Sequence, residues 1–187
     1  MELNSQLLSR LDYVTSTREA RAAMAREILA QPETLKELLQ IGVGRQDAIG
    51  SRAFWILEFV YKASPTLLHD HLDPFCEGLG ALREESSIRP AAKVCELLVK
   101  AYYGKQKAPP LTLRHRELIT AACFDWLIGP HKVAPQAYSM ETLYLLGQDI
   151  PWVHQELKAI LDQHYAQGSA GYQARARKIL ERMDKSG

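Results

Sequence analysis

The chain has 187 residues, enough for one domain with a sizeable core, and its 47% hydrophobic and 24% charged residues are typical of a globular protein. Its 23 lysines and arginines nearly balance its 22 aspartates and glutamates, which leaves a net charge of +1. This balance argues against a surface built mainly to bind nucleic acid or an anionic membrane, because phosphate binding depends on surplus positive charge.

Apolar residues recur at helical spacing along nearly the whole chain, and they predict about ten helices. Capping residues and first-turn prolines mark where most of these helices begin. In chain order, the helices are expected to start near Leu3, Ser16, Pro32, Asp47, Ser64, Pro90, Thr112, Pro135, Pro151 and Ser169. Glycines 104, 147 and 168 are expected just past helix ends, in the left-handed conformation. No strand is predicted, because valine and isoleucine never alternate with polar residues over a useful length.

The longest predicted connection, from Gly104 to Leu111, contains Lys105 and Lys107 and is interpreted as an exposed loop within a single domain of residues 1–187. The longest apolar run, Ala53 to Val60, is too short to span a bilayer, so no membrane partner is expected. Three widely spaced cysteines are consistent with buried thiols in a reducing cytoplasm.

An internal repeat is the strongest pattern in the chain. If the ten helices are paired in order, the second helices of the five pairs align at positions that are 31, 38, 46 and 39 residues apart, within the range of helical repeat arrays. The aligned first positions are Arg21, Arg52, Pro90, Gln136 and Arg175, and an alanine follows each of them. Four residues after the first position comes an apolar column of Ala25, Ile56, Val94, Met140 and Ile179. We expect this column to be buried between neighbouring repeats, because a single helix pair cannot cover both of its apolar flanks.

The segment from Asp47 to Leu57 resembles the second helix of a HEAT repeat, with an aspartate at the helix start and Arg52 a turn later, and Ile88 to Ala92 echoes it. The resemblance to HEAT and armadillo repeat proteins implies an all-α, right-handed α-α superhelix of about five helix pairs. It also implies that the second helices line a concave surface, which such arrays use for binding.

Glutamates recur six residues after the first aligned position, at Glu27, Glu58, Glu96 and Glu181, while the fourth copy has Thr142. One interpretation is a structural row of ion pairs, whose members would be Arg52, Glu58, Glu96, Arg175 and Glu181, with Lys93 as a further cation. The other interpretation, which can coexist with the first, is a polar stripe on the concave face that contacts a partner.

The outward face of the second helices is the predicted binding site. Its members are Ser51, Trp55, Glu58, Lys62, Arg89, Lys93, Glu96, Lys100, Ser139 and Thr142. Trp55 is the expected anchor, since aromatic residues dominate binding hot spots, and the alternative is that it packs on a neighbouring helix. The chain is therefore predicted to be a non-catalytic scaffold that binds a protein or peptide.

A nucleic-acid enzyme is the alternative, similar to the alkylpurine-DNA glycosylases built from HEAT-like repeats. Such an enzyme would need a basic groove with aromatic residues and a catalytic aspartate, for which Asp125 beside Trp126 is the adjacent pair of note. Positive charge gathers locally at Lys93, Lys100, Lys105, Lys107, Arg114 and Arg116. The balanced net charge nevertheless disfavours a nucleic-acid partner.

The sequence also resembles short helical proteins that carry the label adenylosuccinate lyase, which would imply a lyase activity. The nearest match to the flexible signature loop of those lyases starts at Ser139-Met140 and lacks its proline, lysine and asparagine. His69, Asp70, His71 and Asp73 are the densest group of ligand-type residues, but His71 would point away from His69 and Asp73 on a helix. A polar surface turn is the favoured interpretation, and no metal site, cofactor or catalytic residue is predicted.

Overall fold

A computed structural model describes residues 5–104 and 109–185, and these two ranges contain ten α-helices and no strand. The helices are α1 (Ser5–Asp12), α2 (Arg18–Ala30), α3 (Leu35–Gly44), α4 (Ala48–Ala63), α5 (Leu72–Gly78), α6 (Glu85–Tyr102), α7 (Leu113–Ile128), α8 (Val133–Leu146), α9 (Pro151–His164) and α10 (Ala170–Asp184). Short 3₁₀ segments cover Pro32–Thr34, Pro65–His71 and Leu79–Ala81. The predicted all-α fold is confirmed, while Leu3, Lys105 and Lys107 lie outside the described residues. The superhelical winding stays a prediction.

The described chain forms two compact units that divide between Val94 and Cys95. The first unit holds α1 to α5 and the start of α6, and the second holds the end of α6 and α7 to α10. The single domain expected over residues 1–187 stays a prediction.

In the first unit, α4 is the central helix and contacts α1, α2 and α3. Phe54, Ile56 and Val60 are among its buried apolar residues, and Ile56 is fully buried. Asp47 caps this helix as predicted, since its Oδ1 accepts hydrogen bonds from the backbone N–H groups of Ile49 and Gly50 at 3.0 and 2.9 Å.

In the second unit, α8 has the same central position and contacts α7, α9 and α10. Met140 and Leu143 on α8 are fully buried, as are Leu157 on α9 and Ile179 on α10. Second helices are thus neighbours within both units, α2 beside α4 and α8 beside α10. The apolar column of the repeat is buried in all five copies, so this part of the predicted core is confirmed.

Several helix ends differ from the prediction. Thr17 rather than Ser16 caps α2, accepting a hydrogen bond from the backbone N–H of Ala20 at 3.3 Å. No residue in the described ranges has a positive φ, so the left-handed glycines were wrongly predicted. Gly147 is needed for another reason, because the ring of His154 occupies the space that a β-carbon would take. His154 Nε2 donates to the carbonyl of Tyr144 at 2.6 Å near the end of α8.

Candidate functional site

A buried carboxylate organises the exposed cations of the first unit. The Glu58 side chain on α4 is 5% exposed, yet it pairs with Lys62 one turn later and with Arg89 at the start of α6. Arg89 Nη1 lies 3.3 Å from Glu58 Oε2. A buried carboxylate needs such partners, because taking its charge out of water without compensation is costly. We call Glu58, Lys62 and Arg89 the first-unit cluster.

The second unit repeats this arrangement with two glutamates. Glu96 Oε1 lies 2.6 Å from Lys100 Nζ on α6, and the Glu96 side chain is 3% exposed. Glu141 on α8 is 8% exposed at its side chain, and its Oε2 lies 2.7 Å from Arg182 Nη1 on α10. Two further cations reach Glu141 at longer distances, Lys100 at 3.9 Å and Arg175 at 3.8 Å. These five residues are the second-unit cluster, which ties the second helices α6, α8 and α10 together.

Arg182 is also fixed by an aromatic ring. Its guanidinium carbon lies 4.0 Å from the centroid of the Tyr144 ring, a close cation–π contact. Tyr144 and Glu141 lie three residues apart on α8, so one face of that helix supplies both the ring and the carboxylate. The Arg182 side chain is therefore ordered while 41% of its surface is exposed.

The structure separates the ten predicted binding residues into two groups. Trp55, Arg89 and Lys93 are half-buried, and Lys62 and Lys100 are exposed. The other five were predicted to face outward, but the structure buries them. They are Ser51, Glu58, Glu96, Ser139 and Thr142. Ser139 and Thr142 lie against Cys123 of α7, the first helix of their pair, whereas Ser51 and Glu58 contact α6. Ser51 Oγ lies 3.1 Å from Ser87 Oγ, and Thr142 Oγ1 donates to the backbone carbonyl of Tyr138 at 2.8 Å.

The predicted row of ion pairs has partly different partners. Arg52 Nη1 pairs with Asp12 on α1 at 2.7 Å, and Arg175 pairs with Glu141. Glu181 is exposed. Glu141 and Arg182 were missed, although the fourth copy of the repeat offered a signal. Its acidic residue stands one position before Thr142, so the alignment found no charge there.

The indole of Trp55 has a structural partner in the first unit. Pro90, predicted in a first turn, lies six residues into α6, and having no N–H it cannot bond the carbonyl four residues back, that of Ser86. Trp55 Nε1 donates to that same carbonyl at 2.9 Å. The tryptophan thus satisfies an acceptor that the proline leaves without its helical partner, which accounts for a proline inside this helix.

We expect Trp55→Phe to lower the free energy of unfolding by about 1 kcal/mol, the usual contribution of one hydrogen bond. The loss should nearly vanish in a Pro90→Ala background, because the alanine supplies the backbone N–H that proline lacks. Urea denaturation of the wild type, the two single variants and the double variant measures the coupling between Trp55 and Pro90. Trp152→Phe, at a 55% exposed tryptophan on α9, is the matched control. An equal cost of Trp55→Phe in both backgrounds would contradict the proposed bond.

Several of the other candidate residues are engaged or buried, whereas Asp70, Asp73 and Asp125 are exposed. Arg116 Nη1 and the Tyr103 hydroxyl both donate to Asp149 Oδ2 at 2.9 Å, and burial together with this bond raises the pKa of Tyr103 to about 12. Burial also raises the pKa of the Cys76 and Cys123 thiols to about 12, so neither is a thiolate nucleophile at neutral pH. Trp126 is 3% exposed and lies on α7, a first helix of its pair.

A separate cavity of about 560 Å³ lies in the second unit, where the α7–α8 turn meets the link between α9 and α10. Its lining combines Leu127, Ile128 and Val133 with Lys132 and Tyr172, among others, and it shares no residue with the two clusters. Within residues 5–104 and 109–185, no group of three or more His, Cys, Asp or Glu side chains is placed to hold a metal ion. The helices of these ranges are all too short or too polar to cross a membrane.

The family follows from a comparison with known repeat domains. A family model of the HEAT repeat domain matches residues 7–183, nearly the whole chain. The chain belongs to the HEAT repeat family. Neither the curated proteins nor the solved structures contain a match to this HEAT repeat protein. The family match agrees with the five aligned second helices and with the contacts between neighbouring second helices in each unit.

Proposed function

We propose that this HEAT repeat protein is a non-catalytic binding protein that holds a protein or peptide partner against its second helices. Repeat scaffolds of this kind are suited to protein interaction because their helices present extended surfaces. The observation that carries the proposal is the pair of clusters. In both units, buried glutamates hold cations that are 36–45% exposed on neighbouring second helices.

Pre-ordering of these cations favours binding. A long side chain that becomes fixed on association loses conformational entropy, at a cost of about 0.5–1.5 kcal/mol for each side chain. Glu58 already restrains Lys62 and Arg89, and Glu141 together with Tyr144 restrains Arg182. Part of this ordering cost is therefore met before a partner arrives.

The enzymatic alternatives have less support. A glycosylase would use aromatic residues to hold a nucleobase, but Trp126 is buried and the indole N–H of Trp55 is engaged by the protein. The lyase signature is a flexible loop, whereas Ser139 and Thr142 are fully buried inside α8. The three buried free thiols fit a reducing compartment such as the cytoplasm, where we place the protein.

A pull-down from native lysate with neutralised clusters tests the proposal. One variant carries Glu58→Gln, Lys62→Gln and Arg89→Gln, and a second carries the same change at all five residues of the second-unit cluster. Replacing both members of each ion pair avoids leaving a buried charge alone. We expect the wild type to capture defined partners that at least one neutralised variant loses.

The controls have the same change in net charge. Each neutralised cluster lowers the net charge of the protein by one. Lys36→Gln on α3 and Lys158→Gln on α9 do the same, because each removes one exposed positive charge from a first helix. Circular dichroism melts confirm that every variant is folded. Capture of the same partners by the wild type and by both neutralised variants would refute the assignment of the surface.

A further inference from the structure

The second-unit cluster has three cations and two carboxylates. Lys100, Arg175 and Arg182 each lie within 4 Å of an oxygen of Glu96 or Glu141. Two negative charges cannot balance three positive ones, so the cluster carries an excess of one positive charge. A further carboxylate close to these cations would neutralise it.

The positive charge of this cluster faces outward. The two carboxylate side chains are 3% and 8% exposed, whereas Lys100, Arg175 and Arg182 are 43%, 36% and 41% exposed. A molecule that approaches this surface therefore meets the cations, while the carboxylates that hold them stay below. Because the ion pairs are partly desolvated, salt screens them less than it screens fully exposed pairs.

Arg175 is the cation with the most hydrogen-bonding capacity to spare. Its ion pair with Glu141 has an N–O distance of 3.8 Å, too long for a hydrogen bond. A guanidinium carries five N–H donors in a planar fork that matches a carboxylate with two parallel hydrogen bonds. Arg182, by contrast, already donates to Glu141 at 2.7 Å and lies over Tyr144.

The first-unit cluster independently shows the same imbalance. Lys62 and Arg89 are 45% and 43% exposed and share Glu58, whose side chain is 5% exposed. Two cations thus meet one carboxylate, and one positive charge is again in excess. The same arrangement of buried acid and exposed surplus cation therefore occurs in both units.

We infer that the second-unit cluster binds an acidic segment of a partner protein, with an aspartate or glutamate of that segment paired to Arg175 and completing the charge balance. This inference rests on the proposed binding function and names the chemistry of the partner. An excess of one charge suits a single carboxylate. A nucleic acid would place many phosphates against the surface, and its affinity would depend on many surplus cations.

Fluorescence anisotropy with defined probes tests the inference. The probe is a labelled 12-residue peptide with glutamate at every third position in a glycine–serine background, and the comparison peptide has glutamine at those positions. We expect the wild type to bind the glutamate peptide at least tenfold more tightly than the glutamine peptide. Arg175→Gln should weaken binding of the glutamate peptide about tenfold, since it removes the fork while Lys100 and Arg182 still neutralise Glu141.

Lys158→Gln is the matched control, because it removes one positive charge from α9 outside the cluster, and its affinity should equal that of the wild type. Equal binding of the two peptides, no binding of either, or an unchanged affinity of Arg175→Gln would overturn the inference. Tighter binding of a 12-nucleotide oligothymidine would overturn it in favour of nucleic acid. If the protein does not prefer the glutamate peptide while capture from lysate still depends on the clusters, the proposed binding function stands. The inference that the partner segment is acidic is then wrong.

Discussion

The Gly50→Ala variant is expected to lose about 3 kcal/mol in the free energy of unfolding, or roughly 10 °C in the melting temperature. A β-carbon at Gly50 would collide with the backbone carbonyl oxygen of Arg45, which lies in the turn before α4. A backbone atom cannot rotate aside as the end of a flexible side chain can. The cost therefore exceeds that of ordinary overpacking by one methyl group.

The turn is also held in place by its own hydrogen bonds. Arg45 Nε donates to Asp47 Oδ2 at 3.0 Å, and Asp47 Oδ1 accepts from the backbone N–H of Gly50. Two hydrogen bonds lower the pKa of the Asp47 carboxyl below its ordinary value, and the one from Arg45 has a larger effect than the one from Gly50. Moving the Arg45 carbonyl away from a new methyl group would disturb the cap of α4.

Gly44→Ala is the matched control for this prediction. Gly44 ends α3, its φ is not positive, and a β-carbon there would have no atom within 4 Å. Alanine should be neutral at this position or stabilise the protein by up to about 1 kcal/mol through its helix propensity. Thermal and urea unfolding of both variants give the comparison. Equal melting of Gly50→Ala and Gly44→Ala would mean that the Arg45 carbonyl does not constrain the helix.

The Glu141→Leu variant should lose about 2–3 kcal/mol of unfolding free energy. Breaking a buried ion pair costs about 3–5 kcal/mol, and the value is reduced here because the three cations are partly exposed and can turn toward water. The loss arises because Arg175 and Arg182 are left without a carboxylate, whereas Lys100 keeps its ion pair with Glu96. The variant should also lose the hydrogen bond between Arg182 on α10 and Glu141 on α8.

Two further variants check the origin of this loss. Adding Arg182→Leu to Glu141→Leu should recover part of the stability, since it removes one of the cations left without a carboxylate. Glu156→Leu, at an exposed glutamate on α9, should change stability by less than about 0.5 kcal/mol. Urea denaturation gives the free energy of unfolding of the wild type, the two single variants and the double variant. A Glu141→Leu protein that unfolds like Glu156→Leu would show that the cluster adds nothing to stability.

The sequence predicts the repeat core well because that core follows local periodicity. Ile56, Val94, Met140 and Ile179 occur at the same position of successive second helices, and all four are fully buried. Helix caps such as Asp47 and Thr112 were predicted for the same reason, since a cap and the N–H groups that it binds lie within three residues of each other.

The candidate site was less predictable because its geometry depends on residues far apart in the chain. Glu58 was expected to face outward, and its burial follows from the neighbouring α6 that carries Arg89, 31 residues later. Pro90 was expected in a first turn, where a missing N–H costs little, but it lies inside α6. The donor that reaches the Ser86 carbonyl, Trp55, lies on another repeat, so no local pattern indicates it. Arg182 reaches Glu141 across 41 residues, a pairing that no local pattern indicates.

Each unit of this protein contains a buried thiol whose reactivity can report the local unfolding of that unit. Cys76 lies in the first unit and Cys123 in the second, and with pKa values near 12 both are almost wholly protonated at neutral pH. An alkylating reagent consumes thiolate, so it reacts slowly with either residue until local or global unfolding admits water. The modification rate at each cysteine, followed by mass spectrometry, therefore reports the opening of one half of the repeat array without any engineered label.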